Sequence, residues 1–150
     1  MSEVFFYHLQ RQPLEAVLPR LLDKSRERGW RALVRVGSEE RLAMLDDHLW
    51  TYAEESFLPH GSDREADAGE HPILLTTGDA NRNGADILFV VEGAPVPDDI
   101  SGYHRVMYLL DGSDPEAVAS GRQCFRVLRE AGHDLSYWQQ DDDGRWGKRG

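Results

Sequence analysis

Short runs of β-forming residues alternate with segments of helical periodicity, and this alternation is the feature that most constrains the fold. EVFFYHL (3–9) and RALVRV (31–36) predict two strands. Between them Pro13 opens a predicted helix whose apolar residues recur at helical spacing to about Arg28, where Gly29 ends it. A strand, a helix and a second strand form the unit from which parallel sheets are built.

The middle of the chain continues with one helix and three strands. Ser38, followed by two glutamates, predicts an N-cap with acidic residues in the first turn of a helix that runs to about Trp50. GSDREADAGEH (61–71) is polar and predicts a mobile loop. Three apolar runs bounded by turn signals predict buried strands: HPILLTT (71–77), ADILFVVEG (85–93) and HRVMYLLDG (104–112).

The C-terminal part completes an α/β pattern. Ser113 or Asp114 before Pro115 starts a last long helix, which reaches about Ala131. DLSYWQQDDDGRW then predicts an edge strand or a hairpin whose turn is DDDG. This order indicates an α/β protein with a largely parallel central sheet flanked by helices. No repeat or internal boundary divides the chain, so residues 1–150 are predicted to form a single domain.

The charge is negative and unevenly distributed. The net charge of −10 argues against direct nucleic-acid binding, because a phosphate backbone favours clustered Lys and Arg. Residues 37–70 contain ten acidic residues against Arg41 and Arg64, which accounts for −8 of that charge. Residues 121–133 reverse the sign, with three arginines against Glu130. An acidic protein with one basic helix is expected to hold an acidic partner on that helix.

The chain carries no sequence signal for export or for membrane insertion. The segment MSEVFFYHLQRQP lacks the basic start of a signal peptide, and no apolar run approaches the roughly eighteen residues that span a bilayer. Cys124 is the single cysteine, which excludes an internal disulfide and a cysteine-rich zinc site. We therefore expect a cytoplasmic protein that does not bind membranes.

Cofactor and metal sites are not indicated. The stretch after the first strand, HLQRQPLEA, contains no glycine to admit a pyrophosphate, and no GxxxxGK[ST] motif occurs. The six histidines are scattered, without HExxH or a pair three or four apart on a helix. The sequence therefore predicts no cofactor and no metal.

One cluster leaves an enzymatic alternative open. Glu55, Ser56 and His60 combine a carboxylate, a hydroxyl and an imidazole within six residues, as a small cytoplasmic hydrolase or transferase would require. No GxSxG elbow exposes the serine, however. Cys124 is in phase with the apolar residues of the last helix and is better explained as a buried structural thiol.

Two surfaces are candidates for recognition. Arg122, Arg126 and Arg129 follow an i, i+4, i+7 pattern that aligns them on one helix face, bordered by Phe125 and followed by Tyr137. Such a row suits an acidic peptide with an apolar end, although a solvated helix face is the alternative.

The second surface is aromatic. Trp50, Tyr52, Phe57 and Leu58 cluster around a helix end and a loop that Pro59 stiffens. Large aromatic residues concentrated in this way either cap the core or anchor an interface. The pattern leaves both interpretations open.

Four segments resemble the chi subunit family of bacterial DNA polymerase III, the accessory protein of its clamp-loader complex. They are the strand containing FYHL, the block LDDHLWTYAEESFLPHG, the strand HRVMYLLDG and the segment FRVLREAGHDLSYW. LW and ESFLPH with their spacer are the most specific part, and the resemblance covers most of the chain in order. The acidic insert GSDREADAGE and the C-terminal DDDGRWGKRG depart from the family pattern.

The resemblance implies a Rossmann-like α/β domain without catalytic activity. Chi proteins bind the acidic, apolar-ended C-terminal tail of single-stranded DNA-binding protein and pair with the psi subunit, which joins them to the clamp loader. The residues that the family places at the tail site are Arg126 and Arg129, with Arg122, Phe125 and Tyr137 at the rim and pocket. The residues in the family's psi-facing block are Trp50, Phe57, Leu58 and Pro59.

Overall fold

The computed structural model describes residues 3–10, 13–51, 60–62, 68–78, 80–97, 99–140 and 145–148, with the backbone alone described at 50, 51 and 68. Three helices and eight strands form within these ranges. The strands are β1 Glu3–Leu9, β2 Ala32–Val36, β3 His60–Ser62, β4 Ile73–Thr76, β5 Ile87–Val91, β6 Arg105–Asp111, β7 Asp134–Gln140 and β8 Trp146–Lys148. The helices are α1 Leu14–Glu27, α2 Glu39–Thr51 and α3 Pro115–Glu130, with a short 3₁₀ turn at Ala68–Glu70.

All eight strands belong to one sheet in the order β3-β4-β2-β5-β6-β1-β7-β8. β7 and β8 pair antiparallel, and the other six neighbouring pairs are parallel. The predicted α/β class is therefore confirmed. β7 and β8 form the predicted C-terminal hairpin, and residues 141–144, the predicted DDDG turn, lie outside the described ranges.

The helix boundaries follow the local signals. Pro13 precedes α1 with a φ of −73°, and Gly29 follows it with a φ of +77°, a conformation that glycine adopts without steric cost. The Ser38 hydroxyl accepts a hydrogen bond from the Arg41 amide at 3.2 Å, and the Asp114 carboxylate accepts one from the Glu116 amide at 3.0 Å. Both side chains satisfy amide groups that the first helical turn leaves unpaired.

The sheet is covered on both faces. α1 and α2 pack on one face, through buried residues that recur at helical spacing: Val17, Leu18, Leu22, Leu42, Leu45 and Leu49. α3 packs on the other face together with the segments 94–97 and 99–103. Every residue of β4 and of β5 is buried, as expected for parallel strands between two layers. β1 alternates accordingly, with Phe5 and Tyr7 towards the α1 face and Phe6 towards the α3 face.

The predicted loop over residues 61–71 is partly wrong. Gly61 and Ser62 belong to β3, which pairs with β4 at the edge of the sheet, and residues 68–70 form the 3₁₀ turn. β3 has only three residues and its composition is polar, so neither length nor hydrophobic alternation marked it as a strand. Residues 63–67 lie outside the described ranges.

None of the helices in the described part of the chain is both long enough and apolar enough to cross a membrane.

Candidate peptide-binding site

The arginine row predicted from the sequence lies on the outer surface of α3. Arg122, Arg126 and Arg129 are all exposed. Among the described residues, no carboxylate lies within ion-pair distance of any of the three guanidinium groups. With a helical rise of about 1.5 Å per residue, the row is roughly 10 Å long, which matches about three residues of an extended peptide. The row therefore presents three positive charges to solvent that no described carboxylate compensates.

An aromatic cluster borders this row. The ring of Phe125 lies 5.2 Å from that of Phe6 and 6.0 Å from that of Tyr137, both in edge-to-face geometry. Phe6 in turn stacks on Tyr108 at 4.8 Å. Phe6 is fully buried, whereas Phe125 and Tyr137 are half-buried. The core thus fixes two rings that remain accessible beside the arginines, as the pocket of an apolar anchor requires.

His8 completes the cluster from the end of β1. Its Nδ1 lies 2.7 Å from the Tyr137 hydroxyl, and the histidine is 7% exposed. Burial lowers the pKa of His8, the positive charge of Arg122 lowers it further, and Asp111 acts in the opposite direction. Burial raises the pKa of Tyr137, and Arg122 partly offsets this. A neutral imidazole and a protonated phenol therefore share this hydrogen bond and hold the Tyr137 ring in place.

Gly112 makes room for this histidine. A Cβ at position 112 would lie 2.3 Å from the Cδ2 of His8 and 2.6 Å from the carbonyl oxygen of Leu9. The Gly112 amide donates to that same Leu9 carbonyl at 2.7 Å, so the backbone at this position is fixed. Sequence reasoning identified neither His8 nor Gly112. The available signal was the alternation in β1, which places His8 on the same apolar face as Val4 and Phe6.

The structure brings together only part of the predicted tail site. Tyr137 is hydrogen-bonded to His8, Phe125 packs on Tyr137, and Arg122 is close enough to shift the pKa of both His8 and Tyr137. Arg126 and Arg129 extend the row towards the end of the helix without a described contact to the aromatic cluster. The site has a compact aromatic end and a cationic extension.

Comparisons with known proteins place the chain in a family. The sequence profile described as "DNA polymerase III chi subunit, HolC" matches residues 1–136. The chain belongs to the DNA polymerase III chi subunit family. The chain is 30% identical over 138 residues to the DNA polymerase III subunit chi of Pseudomonas aeruginosa, covering 90% of this chain and 94% of that protein. It is 27% identical over 91 residues to the probable DNA polymerase III subunit chi of Rickettsia prowazekii, covering 61% of this chain and 55% of that protein.

The chi-family profile ends one residue before Tyr137. It includes the whole of α3 and therefore all three arginines of the row. The second half of β7 and all of β8 lie beyond the match. The resemblance noticed in the sequence is thus confirmed at the level of the family, and the roles of the individual residues remain predictions.

A cavity of about 810 Å³ lies at the carboxyl ends of β1, β5 and β6. The strands β1 and β6 are neighbours in the sheet, and the chain continues from β1 into α1 on one face and from β6 into α3 on the other. Open α/β sheets usually bind their ligands in the crevice at such a position. Five carboxylates line it: Glu15, Glu92, Asp111, Asp114 and Glu116. Among the residues that the structure describes, Arg41 is the one cation of the lining and lies 3.9 Å from Glu92. The described lining is negatively charged, so it disfavours phosphates.

The residues of the enzymatic alternative are only partly described. Glu55 and Ser56 lie outside the described ranges. The side chain of His60 has no exposed surface, and its Nε2 lies 3.0 Å from the Oδ1 of Asp46 on α2. The contact joins β3 to α2 inside the protein, which favours a structural role for this histidine. No group of three potential metal ligands occurs among the described residues.

Cys124 is half-buried, whereas the sequence predicted a buried thiol. It lies between the buried face of α3 and the solvent-facing side, next to Phe125. Burial raises the pKa of the Cys124 thiol to about 11, so the thiol stays protonated at neutral pH. A protonated thiol is a poor nucleophile, and this agrees with the predicted structural role.

The predicted psi-facing block is also only partly described. The backbone of Trp50 belongs to the last turn of α2, while Phe57, Leu58 and Pro59 lie outside the described ranges. The described residues that flank the block are the end of α2 and the start of β3, at one edge of the sheet. α3 packs near the other edge, on β1, β6 and β7.

Proposed function

We propose that this chain is a non-enzymatic replisome adaptor on a Rossmann-like scaffold. It binds the acidic, apolar-ended C-terminal tail of single-stranded DNA-binding protein and links that protein to the clamp-loader complex of DNA polymerase III through a psi-like subunit. The observation that carries the proposal is the row of three arginines, without an ion-pair partner among the described residues, that borders Phe125 and Tyr137 in a chain of net charge −10.

The geometry divides the binding between charge and burial. Arg122, Arg126 and Arg129 grip the carboxylates of the tail, because a guanidinium can bind a carboxylate through two parallel hydrogen bonds. Each pair is exposed, so each contributes no more than about 1 kcal/mol on its own. The apolar end of the tail packs against the Phe125 and Tyr137 rings, where burial of apolar surface supplies affinity that salt does not screen.

The second half of the proposal concerns the polymerase. Trp50, Phe57, Leu58 and Pro59 form the docking surface for a psi-like subunit. Because the described residues flanking this block lie at the β3 edge, away from α3, one chain holds both partners without competition between them. The role requires no catalytic centre, and it places the chain in the cytoplasm without direct contact to DNA or membrane.

The test is a titration of the purified chain with a synthetic peptide copying the tail of the organism's own single-stranded DNA-binding protein. We expect a micromolar Kd that rises with added salt, since mobile ions screen exposed charges over roughly 8 Å at physiological ionic strength. Arg126→Glu and Arg129→Glu each remove one arginine–carboxylate pair and add a repulsion, so each is expected to weaken binding about tenfold or more. Arg20→Glu, which makes the same charge change at an exposed position on α1, is the matched control. Wild-type affinity in both α3 variants would show that the site is misassigned.

The polymerase link has its own test. Phe57→Ala together with Leu58→Ala is expected to prevent co-purification with the psi-like subunit while leaving peptide affinity unchanged. Normal co-purification of that double variant would refute this half of the proposal alone.

A further inference from the structure

A second cluster of cations and aromatic rings lies on the opposite face of the sheet, at the amino ends of its strands. The guanidinium carbon of Arg105 lies 4.5 Å from the ring centre of Phe5 and 5.4 Å from that of Trp30. The guanidinium carbon of Arg28 also lies over the Trp30 ring, 5.1 Å from its centre. Trp30 also stacks on His104 at 6.0 Å with an interplanar angle of 17°. These contacts fix two arginine side chains around one half-buried tryptophan.

Arg105 has no anionic partner among the described residues. Its Nε is buried and makes no hydrogen bond there. Glu3 faces it in the register of β1 and β6, yet no ion pair joins the two. Phe5 and Trp30 shield the guanidinium from water without neutralising it. A partly desolvated cation of this kind binds a carboxylate more strongly than an exposed one, because less water must be displaced and screening is weaker.

The same arginine lines a cavity of about 170 Å³, here named the basal pocket. The described residues of its lining include three basic side chains, Lys24, Arg28 and Arg105, and no acidic one. Lys24 and Arg28 are exposed at its rim, and neither has an ion-pair partner among the described residues. The remaining lining is Tyr7, Leu21, Ser25, Trp30, Ile87, Phe89 and Met107. The pocket therefore combines a cationic rim with a mainly apolar floor.

We propose that the basal pocket binds a glutamate or aspartate side chain of a partner protein, with an adjacent apolar residue of the same segment packed on Trp30. Arg105 and Arg28 hold the carboxylate, and Lys24 contributes at the rim. The pocket lies on the α1 face, whereas the arginine row of α3 lies on the other face, so this site does not depend on the proposed function.

The surrounding charge favours a peptide over a nucleic acid. A nucleic-acid strand needs a continuous track of cations along its phosphates. Asp23 and Glu27 directly precede Lys24 and Arg28 in α1, and Glu3 pairs with Arg105 in the β1–β6 register, so acidic residues interrupt the cations and no such track forms. A peptide can place one carboxylate in the pocket and uncharged residues beside these acids.

The test uses two short peptides of the same size, acetyl-Leu-Glu-Phe-amide and acetyl-Leu-Gln-Phe-amide, titrated into the full ¹⁵N-labelled chain. The readout is the Trp30 indole N–H signal, assigned by its loss in Trp30→Phe. We expect the glutamate peptide to shift this signal saturably and the glutamine peptide to bind about tenfold more weakly or worse. Absence of a saturable shift at millimolar glutamate peptide, or equal binding of both peptides, would overturn the proposal.

Two variants locate the effect. Arg105→Met retains most of the side-chain length and is expected to weaken binding at least about tenfold. Arg28→Glu replaces an exposed residue, so it tests the same point even if Arg105→Met fails to fold. Arg20→Glu, which changes an exposed residue of α1 outside the pocket lining, is the control and is expected to bind the glutamate peptide normally. Unchanged affinity in Arg28→Glu, or a Trp30 shift given by oligothymidine and by neither peptide, would also overturn the proposal.

Discussion

Gly112→Ala is expected to destabilise the protein and loosen the aromatic end of the peptide site. The new Cβ would lie 2.3 Å from the Cδ2 of His8, 2.4 Å from its Nε2 and 2.6 Å from the Leu9 carbonyl oxygen. Real Cβ atoms do not approach other heavy atoms this closely, so the imidazole must move. Because His8 is hydrogen-bonded to Tyr137 at 2.7 Å, that movement breaks the bond or drags the ring.

The magnitude follows from two terms. Overpacking in a well-packed region costs about 1–3 kcal/mol, and loss of a hydrogen bond costs roughly 0.5–1.5 kcal/mol more. We therefore expect the free energy of unfolding of Gly112→Ala to fall by about 2–4 kcal/mol. Gly102→Ala is the matched control, because a Cβ there meets nothing within 4 Å and the residue is exposed.

Equilibrium unfolding in urea, followed by circular dichroism, measures both variants. Adding His8→Ala to Gly112→Ala removes the closest clash, so part of the lost stability should return, while the clash with the Leu9 carbonyl remains. A Gly112→Ala protein within about 0.5 kcal/mol of wild type would refute the assigned packing around His8.

Three further predictions concern the same region. Burial holds the pKa of His8 below its ordinary 6.5, so the unfolded chain binds the proton more readily than the folded chain. The stabilisation due to neutral His8 is therefore complete above pH 6.5 and declines as the pH falls through 6.5 towards the lowered folded value. Urea unfolding across pH 5–8 should show this decline in the wild-type protein and not in His8→Gln. Tyr137→Phe retains the ring, so it should weaken tail-peptide binding less than Tyr137→Ala in parallel titrations; equal losses would contradict an apolar role for the ring. With a pKa of about 11, Cys124 should react with a disulfide reagent at pH 8 about a hundredfold more slowly in the native chain than in urea, and equal rates would contradict its burial.

The elements were predictable because their signals are local. Helical spacing and the caps at Ser38 and Asp114 mark α2 and α3, and continuous apolar runs mark the central strands. The arginine row was predictable for the same reason, since the i, i+4, i+7 spacing requires only that α3 be a helix. The sequence did not predict β3, because a segment of three polar residues shows no hydrophobic alternation and is shorter than a typical strand.

The contacts that build the two sites were not predictable, because their members are distant in sequence. His8 and Tyr137 are 129 residues apart and meet only because β1 and β7 pair in parallel. Arg105 lies between Phe5 and Trp30 because β1, β6 and the end of α1 converge at one end of the sheet. A strand order of this kind depends on nonlocal pairing, which local sequence patterns do not reveal.

The most direct test of the adaptor role is a heteronuclear NMR map of the tail peptide bound to the full ¹⁵N-labelled chain. The proposed function predicts that the largest shifts fall on α3 between Arg122 and Arg129 and on β7 around Tyr137. Shifts confined to other surfaces, with α3 unaffected at saturating peptide, would contradict it.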